Sequence, residues 1–560
     1  VADVSQPSTF SRNTVVLSNS RALAIALSLL AVCLTWFGNT GYRVLSEPDE
    51  GRYAEIPREM LASGDWVTPR LNGIPYLEKP PLQYWATAIG YSTLGLDHWV
   101  SRLWAVTLGL LGVGATYMTA RTLWTSRAGE FAALILMSCP LYFVVGHINT
   151  LDIGLSFFMN AALACFLMAE RATFDRVRRH WMWTCWLALA GGFLQKGLVA
   201  LVLPAATLVA YALVYREWQL WRRLHLVAGL LILAVLCVPW LVLVSRQNPD
   251  FLHFFFIREH FDRFATTMHN RGEPWWYFIA VLSVGVLPWI VTMLRSLLAS
   301  SSASTGLNVP ALLAIWVATQ LVFFSLSGSK LATYIVSAVP PLALLAGQWL
   351  DRHATARKLW PAAIMIGLWS LLFLFSKPLI THFMRPGEKQ LAYLEVSCWG
   401  LVAGIVGVAG VIAAVMSMRR DDLRTAMLSL GGGFTIALAI LMCGSNSLGT
   451  LRARPGLAAA IAPHLTPDAS FYCIGMYLQA LPFDLRHTCK LVEYTGEHEL
   501  KFDPEQRHWL PSMTAFARHW QQQSSAVAIV SPYLLPALQA AGVTPRTILQ
   551  DDDVAVIVKP

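Results

Sequence analysis

Ionisable side chains gather in a few short stretches of an otherwise apolar chain, and those stretches carry the candidate chemistry. The run 47–60, EPDEGRYAEIPREM, collects acids with Arg58 and sets Arg52 and Tyr53 one turn beyond Asp49. A carboxylate beside a guanidinium and a phenol can take a proton, hold a cationic sugar or steady a phosphate. The plainer reading is a helix start, with Pro48 early and acids favouring the dipole. It covers the acids and leaves Arg52 and Tyr53 unexplained. Further on, GIPYLEKPPLQYW (73–85) places Glu78 and Lys79 before two prolines that hold the backbone extended. Neighbouring side chains are then expected to point apart, Glu78 toward the other acids and Lys79 toward a phosphate; the plainer reading is a solvated ion pair.

Asp152 opens an apolar run after HINTL, where Thr150 or Asp152 suits a helix cap and a carboxylate at the edge of hydrocarbon suits function. Lys196 and Lys330 stand at the ends of apolar segments, functional or simply snorkelling. HFFFIREHFDRF (253–264) interleaves Arg258, Glu259, His260, Asp262 and Arg263 with aromatics. As an α-helix it brings Phe256, His260 and Arg263 to one face, and an interfacial amphipathic helix has the same pattern. A divalent metal on Glu78 and His260 is allowed by residue type and compelled by no spacing. No cofactor is required, and no glycine-rich nucleotide motif is present.

The elements that must position these residues are membrane helices. Of 560 residues, 56% are hydrophobic and only 13% charged, more apolar surface than a soluble core absorbs. About thirteen stretches approach the length needed to span a bilayer: 21–37, 99–120, 128–145, 151–169, 181–194, 198–215, 224–244, 276–294, 310–326, 331–349, 359–375, 399–418 and 425–443. The fifth is the weakest. The first is expected to be an uncleaved helix preceded by a cytoplasmic segment, 1–20. With the amino terminus inside, the basic clusters from Arg121 and Arg127 through Arg178 and Arg179 to Arg419, Arg420 and Arg424 all fall inside. The net charge of +9 thus calls for no nucleic acid. The loop 38–98, Asp152, the 245–275 loop, Lys330 and the tail then share the outer face.

Residues 21–443 are expected to form the membrane domain. Residues 444–560 read as a small soluble α/β domain, with buried strands at 470–474, 526–530 and 554–558 and helices at 513–523 and 534–541. Seven of nine cysteines lie in or beside apolar segments. The other two, Cys473 and Cys489, lie in the tail and suit a disulfide if that tail faces an oxidising compartment.

In order, EPDEGRYAE, YLEKPPLQYW, TLDIGLSFF, GGFLQKGLVALVLP, FIREHFDRF and SGSKLATYIVSAVPPLALL make the chain resemble the GT-C membrane glycosyltransferases. More narrowly it resembles the 4-amino-4-deoxy-L-arabinose lipid A transferases, over about residues 45–347. The first motif is shared with protein mannosyltransferase relatives. The resemblance implies a mainly α polytopic fold with juxtamembrane helices in the 38–98 loop and a periplasmic site on the bacterial inner membrane. It also implies an undecaprenyl phosphate-linked aminosugar donor, a lipid A phosphate acceptor within membrane lipid, and weakened binding of polymyxin-like cationic peptides. Asp49, Asp152 and Glu78 are the expected catalytic residues. Arg52, Tyr53, Tyr76, Lys79, Arg258, Arg263, Lys330 and Tyr334 are expected to meet substrate or carrier phosphate. The rivals are a related polyprenyl-phosphate-sugar transferase acting on a protein or glycan hydroxyl, and a lipid transporter. A transporter tends to keep its polar groups in broken helices near the midplane, whereas these acids cluster in an outer loop.

Overall fold

The computed structural model describes residue 23 and residues 26–559, except 267–271, 302–306, 354, 467, 495, 497–499 and 504–505. The expected segment 1–20 lies outside the described residues. Among them, eight helices are long and apolar enough to cross a membrane, ten if two bent pairs each count as one span. The bends fall at Pro140, between α5 (Ser126–Met137) and α6 (Pro140–Gly146), and at Pro288, between Tyr277–Gly285 and Ile290–Leu298. A proline removes a ladder N–H and crowds the preceding turn, so a bend there has a local cause. Two shorter apolar helices, α1 (Ala26–Phe37) and α9 (Val199–Tyr215), coincide with the first and sixth expected segments. The weak fifth is α8 (Asp175–Lys196), a full-length helix whose first turns carry Arg176, Arg178 and Arg179.

Between α1 and the long α4 (His98–Leu123), the chain forms α2 (Asp49–Ser63), a two-stranded hairpin and α3 (Leu82–Leu94). The hairpin pairs β1 (Arg70–Leu71) with β2 (Ile74–Pro75) through Asn72 and Gly73, both at positive φ. Asn-Gly is the sequence that such a two-residue turn demands. Although polar, α2 is buried from Glu50 to Met60, because the carboxy-terminal domain sits on it.

That domain holds a six-stranded sheet ordered β5-β4-β3-β6-β8-β7. Strand β3 (Ser470–Ile474) runs parallel to β4 (Lys490–Val492) and β6 (Ala526–Val530), and β4 runs parallel to β5 (Trp509–Leu510). Strand β8 (Ala555–Val558) runs antiparallel to β6 and to the edge strand β7 (Arg546–Gln550). Alternate residues point to opposite faces. Phe471, Cys473, Val527 and Ile529 pack on Ile56, Leu71 and Ile74, whereas Tyr472, Ile474, Ala528 and Val530 pack on Phe516 and Trp520.

One buried ion pair ties α2 to the bundle. Arg102 of α4 is fully buried and uses all five N–H groups, on Glu50 Oε1 and Oε2 at 2.7 and 2.8 Å and on the carbonyls of Thr40, Arg43 and Val44. Glu50 also accepts the Ser46 and Asn149 N–H groups. Burial alone raises the Glu50 carboxyl, but Arg102 more than reverses this and holds it at about 2. The stabilisation is therefore complete above the unfolded value near 4.5 and is lost as pH falls toward 2. Arg102→Met strands a buried carboxylate and is expected to cost about 3–5 kcal/mol, read as a lowered thermal midpoint in detergent. An unchanged midpoint removes this pair from the scaffold.

Candidate active site

Where α2, the 76–81 segment, the start of α7 (Leu151–Arg171), the end of α8, Arg263 and the 331–334 turn meet, one narrow pocket collects the ionisable residues. Asp49, Arg52, Tyr53, Glu78, Lys79, Asp152, Lys196, Arg263 and Tyr334 line it, with Thr150, Leu151, Leu331 and Thr333. The three acids that open the first motif have three different tasks. Glu47 accepts the backbone N–H groups of Gln479 and Ala480, Glu50 binds Arg102, and Asp49 alone faces the pocket. The residue before α2 is Pro48, with no side-chain cap. Arg52 is aimed by Gln479 Oε1 at 2.8 Å and Tyr76 Oη at 3.3 Å, so its guanidinium reaches Asp49 at 3.7 Å. Asp49 keeps 44% of its side chain exposed.

Glu78 and Lys79 do not point apart. Lys79 Nζ folds back to 3.7 Å from Glu78 Oε2 and 3.3 Å from Glu259 Oε2. Arg263 Nη1 joins the same carboxylates at 3.5 and 2.7 Å, and its Nη2 donates to Tyr334 Oη at 3.3 Å. The two prolines fix the backbone, but Glu259 and Arg263 across the pocket decide the side-chain directions. Burial would raise the Glu78 carboxyl; Lys79, Arg263 and Arg52 outweigh it and bring it to about 2. Burial and the Arg263 charge push the Lys79 ammonium down, against Glu259 and Glu78.

Asp152 is paired with Lys196, whose Nζ also lies 4.4 Å from the Tyr334 ring centre. Neither Asp152 nor Thr150 makes a side-chain cap on α7. The Thr150 hydroxyl is buried on the pocket wall and has no hydrogen-bond partner among the described residues.

The 253–264 stretch departs from the expected α-helix: His253–Asp262 is a π-helix. Its wider turn puts Phe255 O, five residues back, within reach of His260 Nδ1 at 2.6 Å, while His260 Nε2 accepts the Leu198 N–H. Burial lowers this imidazole to about 4, in keeping with a neutral ring that donates from Nδ1. Both ring nitrogens are engaged by backbone, so the Glu78–His260 metal pair is not formed in this geometry. No cluster of three or more His, Cys, Asp or Glu suited to a metal occurs among the described residues. Gly197 makes room for the ring: it has φ +94°, and a Cβ there would lie 2.6 Å from His260 Nε2.

Three further expected contacts fall outside the pocket lining. Arg258 lies over the Phe254 ring, Lys330 is buried, and Tyr76 acts on Arg52. Lys196, which the sequence leaves open between function and snorkelling, belongs to the cluster, and so does Glu259, to which the sequence assigns no role. Their signals were a lysine closing an apolar segment and an acid four residues before Arg263.

From this pocket a mostly apolar cavity of about 330 Å³ runs along Leu198, Val199, Val202, Phe261, Phe264 and Phe323. Lys79, Lys196, Arg263 and Tyr334 line both.

Comparison with known proteins fits this arrangement. Residues 21–255 match the model of dolichyl-phosphate-mannose-protein mannosyltransferases, and residues 457–559 match the aminoarabinose transferase C-terminal domain. An undecaprenyl phosphate-alpha-4-amino-4-deoxy-L-arabinose arabinosyl transferase of Sodalis glossinidius is 40% identical over 58% of this chain and 59% of its own length. Another, from Proteus mirabilis, is 31% identical over 69% of this chain and 72% of its own. The crystal structure of ArnT from Cupriavidus metallidurans bound to undecaprenyl phosphate superposes with a TM-score of 0.88 at 35% identity, covering 96% of this chain and 98% of that one.

These matches, taken with the apolar helices, make the chain a multi-pass bacterial inner-membrane glycosyltransferase of the GT-C class. Within that class, the chain belongs to the undecaprenyl phosphate-aminoarabinose arabinosyl transferase family.

Proposed function

We propose that this chain moves 4-amino-4-deoxy-L-arabinose from undecaprenyl phosphate to a phosphate of lipid A, at the periplasmic face of the membrane. The observation that carries this reading is the continuity of a charged pocket, its four cations paired to carboxylates, with an apolar cavity through Lys79, Lys196, Arg263 and Tyr334. A donor that is phosphate at one end and hydrocarbon along its length fits such a site. A soluble sugar nucleotide has no use for the apolar part.

In the reaction the bond from the sugar's anomeric carbon to the carrier phosphate breaks, and one to the acceptor phosphate forms. The departing carrier phosphate gains negative charge, which Lys79 and Arg263 stabilise in a partly dehydrated site. They leave Glu78 and Glu259 to do so. The acceptor, a phosphate monoester with a second pKa near 6, is already largely anionic and needs no base. Asp49, half exposed and loosely held, then acts on the sugar by binding its ammonium group. Asp152, tied to Lys196, orients that lysine. The product carries an added cation, which lowers the charge that draws cationic peptides to lipopolysaccharide.

The test is reconstitution in liposomes with the lipid-linked donor and lipid A, followed by mass spectrometry of both lipids. Lipid A is expected to gain one aminopentose residue. Consumption of donor with unmodified lipid A moves the reading to a hydroxyl acceptor, and a donor that changes sides without being consumed identifies a transporter. The side of the membrane is tested separately. Tyr42→Cys, at an exposed position, is expected to label with an impermeant maleimide from the periplasm, and Arg178→Cys is not. Reversed labelling overturns the orientation.

A further inference from the structure

We propose that Cys473 and Cys489 form a disulfide that closes the 474–488 segment into a strap, and that this strap seats Gln479 against Arg52 of the pocket. The inference rests on the periplasmic placement of the carboxy-terminal domain proposed above, since disulfides persist in that compartment.

Three observations carry it. Cys473 lies within β3 opposite Leu491 of β4, and Cys489 lies two residues before Leu491, on the same face of the sheet. The two Sγ atoms are 2.7 Å apart, and the side chains are 0% and 3% exposed. The chain between them is held against the catalytic loop midway along and at its far end. Glu47 accepts the N–H groups of Gln479 and Ala480, and Arg52 Nε donates to Gln479 Oε1. At the far end the Asn72 side chain donates to the Cys489 carbonyl and accepts the Cys489 N–H, at 2.6 and 2.8 Å. The approach is so close that a Cβ at Gly51 would meet the Ala480 nitrogen at 2.4 Å. A glycine at that point of α2 exists to admit the strap.

The segment has little regular structure of its own beyond the short helix Leu481–Leu485. Its hold on Arg52 therefore depends on where its two ends are fixed. β3 fixes the first end by pairing on both sides, whereas β4 is only three residues long. A covalent link at Cys489 secures the weaker end. The oxidant is a periplasmic dithiol–disulfide oxidoreductase: its disulfide is reduced to two thiols as the cysteines give up two protons and two electrons and one Sγ–Sγ bond forms. Both thiols are buried in the finished fold, so the bond forms as the domain folds.

The protein is purified without reductant, its thiols are blocked with N-ethylmaleimide under denaturing conditions, and its peptides are mapped by mass spectrometry. The expected result is one peptide pair linked through Cys473 and Cys489, two hydrogens lighter than its separate halves and resolved by reduction. Two separately alkylated peptides overturn the proposal. In parallel, reduction is expected to lower the thermal midpoint of the wild-type protein by about 5–10 °C, and that of Cys489→Ser not at all. A wild-type midpoint indifferent to reductant also overturns it. Tyr533→Cys, at a highly exposed position of the same domain, reports the compartment independently. Labelling there with free Cys473 and Cys489 refutes the disulfide and leaves the periplasmic reading intact. A linked pair without labelling refutes the compartment and keeps the disulfide.

Discussion

Asp49→Asn is expected to reduce sugar transfer by about a hundredfold or more while leaving the thermal midpoint within a degree or two of wild type. The two halves of this expectation come from one observation. Among the described residues Asp49 is the only acid of its motif that lines the pocket, and its ion pair with Arg52, at 3.7 Å, is too long and too exposed to matter for folding. Glu47 and Glu50, close by, have the opposite balance of buried scaffold contacts and no pocket exposure. Asparagine keeps the shape and removes the charge, so the loss measures what the charge does for the aminosugar. Transfer rates in liposomes beside calorimetry of the same preparation decide it. Wild-type turnover by a folded Asp49→Asn protein removes Asp49 from the chemistry, and a lost midpoint returns it to the scaffold.

Much of this fold could be read from the chain, for reasons that differ between its parts. The apolar segments announce themselves because hydrocarbon demands an unbroken run, and even the doubtful 181–194 stretch is a helix, its charges confined to the first turns. In the tail, β3, β6 and β8 read as strands because they are buried on both faces. Strands β4 and β5 are three and two residues long, and β7 is largely exposed, so neither length nor periodicity marks them. Within the pocket, Asp49, Arg52, Glu78, Lys79, Asp152 and Arg263 stand out as charges at the rims of apolar segments. What converges on them did not. Gln479 reaches Arg52 from more than four hundred residues away, and Arg102, inside an apolar run, gives no local sign that it will bind Glu50. The π-helix shifts His260 onto the backbone, which no α-helical spacing rule foresees. Contacts of that kind are set by tertiary packing, and one sequence holds no periodic trace of them.

Arg263→Ala is expected to weaken binding of undecaprenyl phosphate more than Lys79→Ala does. A charge-assisted hydrogen bond to phosphate is worth about 1.5–3 kcal/mol, so Lys79→Ala is expected to cost roughly tenfold to a hundredfold in affinity. Arg263 adds a planar fork that bridges Glu259, Glu78 and Tyr334, and it presents the same geometry to phosphate oxygens. Its removal also leaves Glu78 and Glu259, both buried, sharing one ammonium, so Glu78 loses part of the field that holds it near 2. Both cations touch the same two carboxylates, so on the proposed reading a phosphate takes both from them. The double variant is therefore expected to fall short of the sum of the two single losses. Lys79→Arg keeps the charge in another shape and restores binding only in part, as does Arg263→Lys. Titration of detergent-purified variants with undecaprenyl phosphate measures the affinities, and transfer rates on the same samples show whether chemistry falls in step. Strictly additive losses mean that the two side chains act on separate groups, and unchanged affinity in both single variants moves the carrier phosphate elsewhere in the pocket.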